Sequence, residues 1–124
     1  MTDIDFSGNW KNQRGSTMEL TQDATTGKVT GTYTTLVGSA GTSSLTKPVV
    51  GQAHGDQIVF YVDWWPYSMT TWAGQYLTQR DKSEMLETVW TNTKDVSDSD
   101  EPSDGWAGLR TGGDSFTRVA SEGA

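Results

Sequence analysis

Alternation with a period of two runs through most of this chain. Ile58, Phe60, Val62 and Trp64 fall on one parity, with Val59, Tyr61 and Asp63 between them. Successive side chains of a strand point to opposite faces, so this pattern predicts a strand with one buried face. Comparable segments recur over 8–13, 16–22, 27–36, 48–54, 57–64, 69–78, 84–92 and 108–119. No window carries apolar residues at helical spacing with capping signals, and no helix is predicted. Short turn sequences separate the strands. Arg14-Gly15, Ala24-Thr25-Thr26-Gly27 and His54-Gly55-Asp56 supply glycine where a hairpin needs positive φ. Such short connections pair neighbouring strands directly. The expected fold is therefore all-β, an eight-stranded antiparallel up-and-down β-barrel. At 124 residues the chain forms one domain, 1–124, with 1–6 and 120–124 expected as flexible tails.

Parity then assigns faces. Ser16, Met18 and Leu20 share one, as do Val29, Gly31, Tyr33, Thr35 and Val37. Thr70, Trp72, Gly74 and Tyr76 share another, as do Leu86, Thr88, Trp90 and Asn92. The predicted lumen is apolar at one end and polar and aromatic at the other. A barrel of about eight strands has room for side chains or one small ligand. Trp64, Trp72, Trp90 and Trp106 lie at or near strand ends, and Asn12, Ser16, Tyr33, Thr35, Ser68, Thr70 and Asp114 fall on matching parity. Aromatic walls around hydrogen-bonding groups describe a small-molecule site. Singly, each residue has an ordinary explanation: a lone Trp packs a core, Tyr33 is a satisfied core tyrosine, Trp10 plugs the barrel floor and His54 sits in a surface turn. Asp114 fits this poorly, because an inward Asp is almost never fully buried without a partner.

Composition removes other classes. With no cysteine there is neither a disulfide framework nor a thiolate metal site, and a single His makes a histidine metal site or a Ser-His triad improbable. A net charge of −7 with scattered Lys and Arg argues against nucleic acid. No apolar run approaches a membrane span. The start, MTDIDFSGNW, has neither a basic n-region nor an apolar h-region, so no signal peptide is expected in this chain. Catalysis by paired carboxylates needs a second inward carboxylate near Asp114; parity offers none and turns Glu87 outward. Two stretches read as loops. One is the small-residue run Gly38 to Ser44. The other is the acidic run Asp95 to Gly105, whose spacing does not match a calcium loop.

Five segments, in order, resemble the avidin and streptavidin family of biotin-binding proteins. They are GNWKNQRGST from Gly8, GTYTTLVG from Gly31, TTWAGQY from Thr70, TVW from Thr88 and GDSFT from Gly113. The resemblance implies biotin held without covalent attachment and at high affinity inside the barrel, with no enzyme activity, cofactor or metal. By matching position, Asn12, Ser16 and Tyr33 meet the ureido oxygen, and Asp114 and Thr35 meet the ureido N–H groups. Thr70 lies near the ligand sulfur. Ser68 and the backbone of Ser39 hold the valerate carboxylate, and Trp64, Trp72 and Trp90 form the walls. Val37, Ala40 and Asn92 complete the predicted lining. Trp106 matches the Trp that enters a neighbouring subunit's pocket, which implies a homotetramer; the family location implies a secreted or periplasmic protein. The sequence departs from the family pattern at Arg14, at Asn92 and in the short segment Trp64 to Ser68. The alternative is an avidin-like barrel with reduced biotin affinity or a preference for another small ligand.

Overall fold

The computed structural model describes residues 4–35, 45–66, 68–104 and 108–119. Eight strands follow in chain order: β1 (Gly8–Asn12), β2 (Thr17–Gln22), β3 (Lys28–Thr35), β4 (Leu45–His54), β5 (Gln57–Asp63), β6 (Ser68–Thr78), β7 (Glu84–Lys94) and β8 (Leu109–Val119). Each pairs antiparallel with its sequence neighbour, and β8 returns to β1, so the barrel closes. Closure leaves no unpaired sheet edge. The alternation forecast from the sequence is clearest in β5, where Ile58, Phe60 and Val62 are buried and the residues between them are exposed. At the β4–β5 hairpin Gly55 takes φ 60°, which an L side chain adopts only with strain.

Three expectations change. β4 begins at Leu45, three residues before the predicted start at Pro48; Pro48 is exposed, at a place where the sheet tolerates it. A helical turn not foreseen in the sequence occupies the acidic run: a 3₁₀ turn over Asp98–Asp100 leads into α1 (Glu101–Asp104). Its first turn carries Asp98 and Asp100, the sign of charge a helix N-terminus favours. The third concerns the leading segment. Phe6, expected within a flexible tail, is fully buried.

Phe6 closes one end of the barrel. Its backbone N–H donates to Gln22 Oε1 at 2.8 Å, and its carbonyl accepts from Trp10 Nε1 at 3.0 Å. The Arg118 guanidinium lies 4.4 Å from the centre of the Trp10 ring. It also donates to Glu84 Oε2 at 3.0 Å and to the carbonyls of Ser7 and Asp5 at 2.8 and 3.0 Å. Above this plug Leu20, Val29, Ile58 and Leu86 are almost fully buried. Trp10 is thus the floor plug that the sequence led us to expect.

Candidate functional site

The opposite end of the lumen is polar. Asn12 ends β1 and Ser16 stands just before β2, brought face to face by the turn between them. Asn12 Oδ1 accepts from the backbone N–H groups of Arg14 and Ser16, each at 3.0 Å. This fixes the amide so that Nδ2 reaches Tyr33 Oη at 3.3 Å. Ser16 Oγ lies 3.5 Å from Thr35 Oγ1. Asn12, Ser16 and Tyr33 are all buried. Burial, and after it the charge of Asp114, push the Tyr33 phenol up to about 12.

Asp114 answers the question that its inward parity raised. Trp72 Nε1 donates to Oδ2 at 3.1 Å and Gln13 Nε2 donates to Oδ1 at 3.0 Å. Gln13 is tied in turn to β8, where the Ser115 N–H donates to its Oε1 at 2.9 Å. The carboxylate is therefore oriented by two donors, one from β6 and one from the turn after β1, which suits a fixed acceptor. Gln13 is not foreseen in the sequence. An exposed glutamine in a turn carries no signal until β1 and β8 are known to pair.

The aromatic wall is continuous. Tyr33 stacks on Trp72 with ring centres 5.0 Å apart, and Phe60 stacks on the other side of this pair at 4.9 Å from Trp72. Trp64 meets Tyr33 edge-on at 5.6 Å. Trp90 is half-buried and is the cross-strand partner of Trp72. Its indole lies across Gly112 so closely that a Cβ there would overlap the ring, which explains why β8 has glycine at that register.

At the rim, Trp64 Nε1 donates to Thr70 Oγ1 at 2.9 Å. Asn92 Nδ2 lies 2.7 Å from Thr70 Oγ1, 3.1 Å from Met69 O and 3.2 Å from Ser68 Oγ, three acceptors that share its two protons. The departure at Asn92 is thus a polar residue whose amide nitrogen is fully engaged. Arg14 is exposed in the β1–β2 turn. The structure brings together Asn12, Ser16, Tyr33, Thr35, Trp64, Ser68, Thr70, Trp72, Trp90, Asn92 and Asp114 at one end of the lumen. Val37, Ser39, Ala40 and Trp106 lie outside the described residues.

An open depression of about 430 Å³ is lined by Lys94, Asp95, Val96, Glu101, Gly108 and Leu109, at the ends of β7 and β8 and in the segment between them. It mixes both charge signs and converges on no buried group. Among the described residues no group of His, Asp and Glu is arranged to hold a metal ion, and no helix is long and apolar enough to cross a membrane.

A closed antiparallel barrel with an apolar floor and a polar, aromatic-walled mouth defines the class of barrels built around one small ligand. A family model described as "Avidin family" matches residues 1–119. The chain belongs to the avidin family. Avidin-related protein 4/5 of Gallus gallus is 31% identical over 121 residues, covering 94% of this chain and 79% of that protein. Avidin of Gallus gallus is 30% identical over 128 residues, covering 94% and 80%. A solved structure described as a biotin binding protein from chicken superposes with a TM-score of 0.80 at 31% identity, covering 95% of this chain and 98% of that one.

Proposed function

We propose that this protein binds biotin non-covalently and tightly at the polar end of its barrel, and that it is not an enzyme. The observation that carries the reading is the buried group Asn12, Ser16 and Tyr33 beside an Asp114 already held by two donors. A urea offers one oxygen that accepts and two N–H groups that donate. Asn12, Ser16 and Tyr33 give their protons to the oxygen. Asp114 and Thr35 accept from the N–H groups. An ionised carboxylate at one N–H draws negative charge onto the oxygen, and charge-assisted bonds of this kind are about twice as strong as neutral ones. Trp64, Trp72 and Trp90 enclose the rings. Thr70 faces the sulfur, and Ser68 with the Ser39 backbone takes the carboxylate; Val37, Ala40 and Asn92 complete the lining.

The same reading makes the protein a homotetramer, with Trp106 closing the pocket of a neighbouring subunit, and a secreted or periplasmic one. A chemical step is not part of it. Asp114 is the one buried carboxylate among the described residues, and His54 is exposed at the other end of β4.

Heating the protein with and without biotin tests the proposal, because a ligand that binds only the folded state stabilises it. At 1,000 times Kd the gain is about 4 kcal/mol. We expect a rise in Tm at saturating biotin and a native mass of four copies. An unmoved Tm would refute the ligand; a mass of one or two copies would refute the tetramer.

A further inference from the structure

Thr70 is held in an unusual way. Its Oγ1 receives two N–H donors at once, Trp64 Nε1 at 2.9 Å and Asn92 Nδ2 at 2.7 Å. An indole N–H can only donate. The Asn92 amide is fixed as well: its Nδ2 lies 3.1 Å from Met69 O, a carbonyl that can only accept, so the nitrogen and not the oxygen faces this cluster. A hydroxyl oxygen has two acceptor positions. Both are taken, and what remains of the Thr70 hydroxyl is its proton. Thr70 is 6% exposed on an inward face, so this proton is what the hydroxyl has left to offer a ligand in the lumen.

We infer that Asn92, through Thr70, sets the polarity of this part of the site, so that it favours a ligand carrying a hydrogen-bond acceptor there. The inference rests on the biotin reading, in which the ligand sulfur lies beside Thr70. A thioether sulfur is a weak acceptor, whereas a sulfoxide oxygen is a strong one. The favoured ligand class is then biotin oxidised at sulfur, and only in the epimer whose S–O bond points at Thr70. Asn92 acts here as a specificity-determining residue.

The test compares binding of biotin and of the two biotin sulfoxide epimers to the intact protein, to Asn92→Asp and to Asn92→Leu. An ionised Asp accepts the Thr70 proton and turns a lone pair of Oγ1 toward the ligand. Leu removes one donor and leaves the hydroxyl free to turn either way. The readout is each sulfoxide's affinity divided by that of biotin, so that effects common to all ligands cancel. We expect one epimer to bind the unsubstituted protein about tenfold better than the other, the worth of one hydrogen bond. Asn92→Asp should lower the ratio for that epimer by about tenfold and Asn92→Leu by about threefold, with the other epimer's ratio unmoved. Ratios that do not change, or that change equally for both epimers, overturn the inference while biotin binding stands. A protein that binds neither biotin nor its sulfoxides overturns the biotin reading and this inference with it. If Asn92→Asp fails to fold, Asn92→Leu alone still decides.

Discussion

At the floor of the barrel Leu20, Val29, Ile58 and Leu86 are buried against Phe6 and Trp10. At the mouth, further along the same strands or just beyond their ends, stand Ser16, Tyr33, Trp64 and Trp90. The first group releases apolar surface from water, at roughly 25 cal/mol per Å². The second buries polar groups whose hydrogen bonds return only a little more than desolvation takes, near 1 kcal/mol net each. One sheet therefore carries two different energetics. The floor makes the barrel stable, and that stability permits the mouth to hold Asn12, Tyr33 and Asp114 oriented toward the lumen. Even the hydrogen bonds differ in kind. At the floor Arg118 satisfies the carbonyls of Asp5 and Ser7 and the Glu84 carboxylate, all within the protein. At the mouth Tyr33 Oη and Thr70 Oγ1 are buried acceptors of neighbouring N–H groups, with their own protons left over.

The division can be broken at either end. Leu86→Ala, which empties a fully buried position of the floor, should lower stability by about 2–5 kcal/mol in denaturant titrations and leave the biotin Kd unchanged. A matching loss of affinity would mean that the two ends are one cooperative unit. Asp114→Ala attacks the mouth. It removes the acceptor of Trp72 and Gln13 and, on our reading, of a ureido N–H, so affinity should fall by about 3 kcal/mol, roughly a hundredfold. An unchanged Kd takes Asp114 out of the site.

A smaller effect is set by pH. The Tyr33 phenol is raised from 10.0 to about 12 in the folded protein. Between those values the unfolded chain has lost a proton that the folded chain keeps, so stability falls as pH rises. The contribution is fully present below pH 10, and most of it, on the order of 2 kcal/mol, is gone by pH 12. Alkaline unfolding of the Tyr33→Phe protein should lack this slope. If its curve overlays that of the unsubstituted protein, Tyr33 is not the desolvated group described here.

How far the sequence discloses this depends on the kind of force. Burial is periodic, so β5 and the floor residues are legible from alternation alone. The inward Asp114 is legible because a carboxylate on an apolar parity demands partners. Its partner Gln13 is not legible, since that contact spans 101 positions and exists only when β8 closes on β1. Arg118 shares the inward parity of Asp114 and Phe116, and the same demand for partners, applied to a cation, points to a clamp on the floor. The start of β4 is hidden by Pro48, which reads as a strand boundary but takes an exposed position within the strand. The helical turn at Asp98–Asp104 is too short for any periodicity to show.

The central claim is that the polar mouth is a site for one urea-bearing ligand. Isothermal titration with biotin tests it most directly, on protein first unfolded and refolded to strip bound ligand. We predict a steep exothermic step at one biotin per chain. A flat trace would contradict it.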